Sequence, residues 1–513
     1  MFETTSLTIG CACIFLALLV ASRRDTKQCR YPPGPLGLPL FGNLLDLPKE
    51  ASWYTFAKWA RKYNSKIIHF SMLGKHFVVL NSYQVAKEIL EDRSRIYSDR
   101  KYSVMASELT GWHRNFGLQS YDERWRQRRR MFHQHFKPQM TPTFHTSMIQ
   151  GARALTQVLL ESPNEFLRYF RSVPGANILS IVYAMDLDPR DSASMESVEG
   201  AVLAFEEVSD EGPYVVDFLP ALKYIPTWFP GAALLRLPQG SVWKSVVDRF
   251  HEDSYHTVKS DILSGESRPC VASSLIREFE DRLDDNNVEE DIISASGTAY
   301  TASDTTTYVL TNFALAMLLF PIVQKKAQQE LDQVVGRDRL PDTCDLDSLP
   351  YITAIFKELM RWRPIGPLGS PHQSIADDWY GDYFIPAGTV VIGNIWAILH
   401  DEERYPEPEA FKPERFLTEE GVLDPTVPDP VQVFGFGRRI CPGRHFAETA
   451  LRLYISHMLA AFAIEKPVDD AGNPVEPTQD CTARMFWYPK PFRAEFKPRL
   501  DELERLIRMP PGN

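Results

Sequence analysis

The chain has 513 residues, 44% apolar and 24% charged, enough to bury a sizeable core in one large domain or several ordinary ones. Its formal charge of −11, from 67 acidic and 56 basic side chains, argues against a nucleic-acid partner, because there is no basic tail and the acidic excess repels a phosphate backbone. Seven cysteines without regular spacing make no disulfide framework, and no N-x-S/T acceptor points to a secretory lumen.

The first element is apolar. No charge occurs from Thr4 to Ser22, and Leu7 to Val20 reads LTIGCACIFLALLV, close to the ~20 residues that span a bilayer. A cleavable signal peptide is the competing reading. Glu3 precedes the run, while Arg23, Arg24, Lys27 and Arg30 follow it. Basic flanks stay cytoplasmic, so residues 1–22 are expected to be a single-pass transmembrane anchor with the rest of the chain in the cytosol. Residues 23–35, ending in Pro32-Pro33-Gly34-Pro35, are expected to form a basic, proline-stiffened hinge.

Residues 36–513 read as one large, mainly α unit with a small antiparallel β portion. Helical spacing covers Ser52 to Tyr63, through Trp53, Phe56, Ala57 and Ala60. Strand signals follow at Lys66–Phe70 and His76–Leu80, joined through Gly74 and Lys75, and again at Val390–Ile392. A long helix runs from Val288 to Phe320, where Pro321 ends it and opens the next, to about Val335. Tyr351 to Arg363 is a helix stopped by Pro364, and Phe446 to Leu459 another. Residues 212–231 are apolar for a connecting segment, which fits a buried core segment or a second membrane-facing patch beside a substrate entrance.

The densest chemical signal is Phe434-Gly435-Phe436-Gly437-Arg438-Arg439-Ile440-Cys441-Pro442-Gly443. Two glycines let the backbone turn tightly and approach a flat ligand. Cys441 then sits at the amino terminus of a helix, where N–H groups and the dipole favour a thiolate. The other cysteines (Cys11, Cys13, Cys29, Cys270, Cys344, Cys481) read as small buried hydrophobes. Glu358 and Arg361 share a helix face at i, i+3 and can pair. Thr301-Ala302-Ser303-Asp304-Thr305-Thr306 puts four hydroxyls and an acid in mid-helix, where they compete for backbone hydrogen bonds. Such a failure of local rules marks either a polar face or an acid–alcohol pair at a widened turn. Trp125 and Arg129 lie i, i+4 on a basic helix whose Arg126, Arg128 and Arg130 read as a solvated face or a docking patch for an acidic partner.

These segments together resemble the cytochrome P450 family, over essentially the whole chain. Phe434, Gly437, Arg439, Cys441 and Gly443 match its F-x-x-G-x-R-x-C-x-G signature, Glu358 and Arg361 its E-x-x-R, and Phe411 to Phe416 its P-E-R-F segment. The resemblance implies the P450 fold preceded by a transmembrane helix, and haem b (heme, iron protoporphyrin IX) with Cys441 as axial thiolate. It implies that Glu358, Arg361 and Arg415 form a buried structural triad. Arg439 then pairs with a haem propionate, as do Trp125 and Arg129 (W-x-x-x-R) and His372; for His372 an ordinary surface histidine competes. The long helix is similar to the family's A-G-x-D/E-T-T, with Ala302 where glycine is common, making Asp304 and Thr305 the acid and alcohol that guide protons to oxygen.

The implied activity is insertion of one oxygen atom from O2 into a lipophilic small molecule, in the style of fungal secondary-metabolism or detoxification enzymes at the endoplasmic reticulum membrane. About seventy residues follow Cys441, too few for a flavin module, so electrons are expected from a separate NADPH-cytochrome P450 reductase. Candidate pocket residues, mostly apolar or small, lie near 100–120, at Ala299 and Ser303, at Pro367–Ser370 and around Met485–Trp487. A haem-thiolate isomerase or dehydratase, a haem carrier or sensor, and a degenerate structural relative are the rivals; the Asp304–Thr305 pair speaks against the first, and intact Cys441, Glu358 and Arg361 against the last.

Overall fold

The computed structural model describes residues 30–210 and 214–508. The expected anchor (1–22), with Cys11, Cys13 and Cys29, lies outside them. Among the described residues no single helix is long and apolar enough to cross a membrane. The chain packs as two compact units. The smaller holds the described residues up to Lys101, Leu368–Ile398 and Phe436–Arg439; the larger holds Tyr102–Pro367, Leu399–Gly435 and the residues from Ile440 on.

In the smaller unit, α1 (Ser52–Lys62) buries Trp53, Phe56 and Ala57. A hairpin follows, β1 (Ile67–Met72) and β2 (Lys75–Leu80), closed by Leu73 and Gly74 with φ of 47° and 80°. Two positive-φ residues give the hairpin the twist its strands need, so the turn is Leu73-Gly74, one residue earlier than the sequence indicates. Three more strands complete the sheet: β3 (Asp99–Arg100), β4 (His372–Gln373) and β5 (Val390–Gly393), in the order β1-β2-β5-β4-β3. The β2–β5 pair is parallel, Phe77 facing Val390. The sheet is therefore mixed, not purely antiparallel as expected. A parallel partner needs a long crossover, and some 300 intervening residues leave no local signature of it. The Pro33 carbonyl accepts the His69 N–H at 3.0 Å, so the end of the proline-rich segment lies along β1.

The larger unit is helical. Its main elements are α2 (Glu123–Phe136), α3 (His145–Glu161), α4 (Phe166–Tyr183), α5 (Ser192–Asp210), α6 (Leu237–Ser264), α7 (Asn286–Leu319), α8 (Pro321–Val334), α9 (Pro350–Trp362) and α10 (Arg444–Ala461). Two short antiparallel strand pairs lie within it, Cys481–Ala483 with Trp487–Pro489 and Phe462–Glu465 with Glu495–Pro498. The 34 residues of α7 make a rod about 50 Å long. Its last three turns are largely apolar (Val309, Leu310, Phe313 to Leu318) and bury themselves among α3, α4, α8, α9 and α10. Its first half joins a second core with α2, α5 and α6. Asp285 caps its start through the Asn287 N–H, and the chain breaks by 106° at Phe320–Pro321.

Within the larger unit, α9 is fastened by charge. Glu358 is fully buried and accepts from Arg361 at 2.7 and 2.9 Å, from Arg415 at 3.1 and 3.2 Å and from the Lys412 N–H at 2.7 Å. Arg361 also donates to the Leu399 and Ala410 carbonyls. The triad thus stitches α9 to the 399–417 segment. Cys344 is exposed and Cys481 half-buried; of the cysteines read as buried, Cys270 alone is so among the described residues.

Candidate active site

The cysteine loop is shaped by its glycines. Gly435 has φ 85° and ψ −164°, a conformation open only to glycine. Gly437 has φ 53°, and a Cβ there would lie 2.4 Å from the Leu90 carbonyl oxygen. The backbone thus approaches a neighbouring chain segment too closely for a side chain. Phe434 is half-buried, and its carbonyl accepts the Cys441 N–H at 2.7 Å, closing the loop.

Cys441 stands just before α10, with the Gly443 N–H turned toward its sulfur. Burial pushes the thiol up; the Gly443 N–H, Arg129 and Arg444 pull it down without prevailing. The Gly443 N–H thus acts in the direction expected of a donor at a helix terminus, and desolvation opposes it. A half-buried thiol so placed gains by exchanging its proton for a metal cation.

On α2, Trp125 is buried and Arg129 lies beside it, 5.9 Å from the ring centre. Arg129 donates to the Ile440 carbonyl at 2.5 Å, the residue before Cys441. Burial lowers Arg129 to about 10, with Cys441 opposing. Its neighbours differ from the expected patch. Arg128 is buried and bonds Asp291 of α7 at 2.7 Å, joined by Arg124 at 2.8 Å. Arg128 therefore leaves the exposed cluster, because a buried carboxylate on α7 takes it inward; Arg126 and Arg130 remain on the surface.

In the smaller unit, His372 is buried rather than superficial, and its Nδ1 donates to the Tyr97 carbonyl at 2.6 Å. Burial, then Arg100 and Arg439, hold it well below the usual histidine range. Arg439 donates to the Ser98 carbonyl at 2.7 Å. Arg100 faces His372 across β3 and β4 and donates to the Ser370 and Pro371 carbonyls. Two guanidiniums around a neutral imidazole make an anion receptor. Nothing local in the sequence marks Arg100; its only signal is a strand pairing across some 270 residues.

From Val288 to Leu318, α7 exposes two residues, Ala302 and Thr305. Spaced i, i+3, they share one face, and small side chains there leave room for a flat group. The Thr305 hydroxyl donates to the Ala302 carbonyl at 2.9 Å. No widened turn occurs; the segment is α-helical throughout. Asp304 is not on that face. It is buried, accepting from Arg171 of α4 at 3.1 Å and from Thr307 at 3.3 Å. Arg171 also bonds Glu206 of α5 at 2.7 Å, which accepts from the Tyr308 hydroxyl. Ala299 is buried and Ser303 half-buried, its hydroxyl returned to the Tyr300 carbonyl. Trp112, Phe205, Phe486 and Tyr308 form a chain of ring contacts in the same unit.

The sequence profile of the cytochrome P450 family matches residues 32–496. The chain belongs to the cytochrome P450 family. With the relatives that follow, the match makes it a cytochrome P450 monooxygenase. It is 40% identical over 502 residues to the cytochrome P450 monooxygenase ple1 of Rhodocybe pseudopiperita, covering 98% of this chain and 95% of that protein. The tryptamine 4-monooxygenase of Psilocybe cyanescens is 38% identical over 496 residues, 95% and 96% of the two chains. The P450 monooxygenase eriA of Hericium erinaceus is 37% identical over 487 residues, 94% and 91% of the two. The rival reading as a haem carrier has no support among these relatives, which are named as monooxygenases.

Proposed function

We propose that this P450 inserts one oxygen atom from O2 into a lipophilic small molecule, a terpenoid, polyketide, steroid or aromatic compound. Its electrons come from a separate NADPH-dependent reductase, and residues 1–22 anchor it to the endoplasmic reticulum membrane with the catalytic part in the cytosol. The observation that carries the reading is Cys441, delivered on a glycine-shaped loop to the start of α10 with the Gly443 N–H on its sulfur.

When bound, haem b supplies oxygen activation through an iron held by the Cys441 sulfur. Arg129 steadies the loop through Ile440, and with Trp125 it would hold one propionate. Arg439 and Arg100 would supply the charge that holds a propionate, and His372, whose Nδ1 proton is committed to the Tyr97 carbonyl, would donate from Nε2 on taking up a proton as the carboxylate arrives. Phe434 and Gly437 shape the loop. Ala302 and Thr305 present a small, hydroxyl-bearing face, where Thr305 holds a proton at Oγ1 and Asp304 restores it.

Two surfaces fit the membrane and electron-transfer parts of the reading. In 214–231, Trp228 is 79% exposed and Leu234 just beyond is 88% exposed, with Tyr224 and Phe229 beside them. So much exposed apolar surface on one short segment suits burial in lipid. Arg126 and Arg130 offer positive charge to an acidic flavoprotein.

The test is direct. The purified protein, reduced and given carbon monoxide, should show the red-shifted Soret band of thiolate-ligated haem; a histidine-type band sinks the assignment. In a reductase-expressing host, NADPH- and O2-dependent hydroxylation of members of a lipophilic panel is expected, and D304N should divert reducing equivalents from product to peroxide.

A further inference from the structure

Asp304 does not stand alone. Around it lie Arg171 from α4, Glu206 and Glu199 from α5, and Thr307, Tyr308 and Tyr300 from α7. The Glu206 and Asp304 carboxyl groups are within hydrogen-bonding reach of each other. Arg171 bonds both, at 2.7 and 3.1 Å. The Tyr308 hydroxyl closes the group on Glu206, and the Tyr308 ring stacks on those of Tyr488 and Phe486 with centres 4.3 and 5.4 Å away.

Charge neutrality limits how this cluster can ionise. One guanidinium can neutralise one carboxylate, and two carboxylates in contact in a buried site do not both ionise at or below neutral pH. One proton must be shared. Burial first, and the Asp304 carboxylate second, push Glu206 up to about 8, whereas Arg171, despite burial, is raised by Asp304 and Glu206. Glu206 is also the more exposed partner, with 14% of its side chain open against 8% for Asp304.

We propose that Glu206 is the proton store of this P450: it holds the proton shared with Asp304, passes it to the Asp304 carboxylate, and regains one from solvent while Arg171 keeps the pair in register. The step balances within the chain. The Glu206 O–H bond breaks, an Asp304 O–H bond forms, and the charge left on Glu206 rests against Arg171. This role for Glu206 rests on Asp304 being the acid behind Thr305.

Infrared difference spectroscopy of the haem-loaded full-length protein tests it. Wild type minus E206Q should show a protonated carboxyl stretch at pH 6.5, shifted by δ-13C glutamate labelling and replaced by a carboxylate band near pH 8. In a D304N background Glu206 is the one carboxylate that Arg171 bonds, so D304N minus D304N/E206Q should show Glu206 already ionised. A carboxylate signal for Glu206 in wild type at pH 6.5, or a protonated one in D304N at pH 7, overturns the shared proton. The functional arm is product per NADPH. E206Q should lower it on the order of tenfold at pH 7.5, with D304N/E206Q no worse than D304N. An uncoupled D304N beside a fully coupled E206Q removes Glu206 as the store. Coupling intact in both removes Asp304 as the acid, while the spectra still decide the proton. The carbon monoxide band shows that each variant is folded and loaded.

Discussion

Replacing Glu358 by glutamine should be among the most damaging single-atom changes in this chain. Glutamine matches the volume but turns one of two acceptor oxygens into a donor, aimed at a guanidinium. Arg361 has no exposed surface and Arg415 retains 9% of its side chain, so two cations would be left without a counter-anion. Removing one member of a buried ion pair costs about 3–5 kcal/mol. Here two arginines depend on one carboxylate, which puts the cost at the upper end. It goes no higher because Arg361 keeps the Leu399 and Ala410 carbonyls and Arg415 keeps Pro406, Glu407 and Ala410. Against a total stability of about 5–15 kcal/mol this is a large fraction. The urea midpoint for loss of the thiolate Soret band should fall by on the order of 1 M. Glu407, in the same segment, is the control: it pairs with Lys412 across open solvent, and E407Q should leave the midpoint in place. If E358Q and E407Q unfold at the same urea concentration, the triad is not what fastens α9.

Three further outcomes are expected. C441A should abolish the thiolate Soret band, while C344A and C481A should keep it. G437A forces a side chain onto the Leu90 carbonyl at positive φ, so haem should dissociate faster, whereas R438A on the exposed neighbour should not change retention. Glu206, raised from its ordinary 4.5 to about 8, binds a proton in the folded chain that the unfolded chain has released. Stability should therefore fall as pH rises from about 4.5 to 8, and E206Q should flatten that slope in a thermal melt series.

What the sequence shows is set by how far apart the cooperating residues stand. The Cys441 loop, the Glu358–Arg361 pair and the α7 stripe lie within one turn or one loop, so spacing alone encodes them. Gly435 and Gly437 were legible for the same reason: a positive φ leaves a residue-type mark at its own position. Arg100 beside His372 and Arg128 beside Asp291 were not, because each partner comes from a segment 160 residues or more away and obeys no period. The α7 acid lies between these cases. A charged side chain and four hydroxyls in mid-helix broke a local rule, which located the site. The partners that satisfy Asp304, Arg171 and Thr307 among them, come partly from other helices, and only their packing shows that the acid faces α4 and α5 while Thr305 faces outward. On the proposed reading Asp304 carries a proton between those two sides, and an acid with that task cannot be satisfied by its own helix alone, which accounts for the local rule failing there.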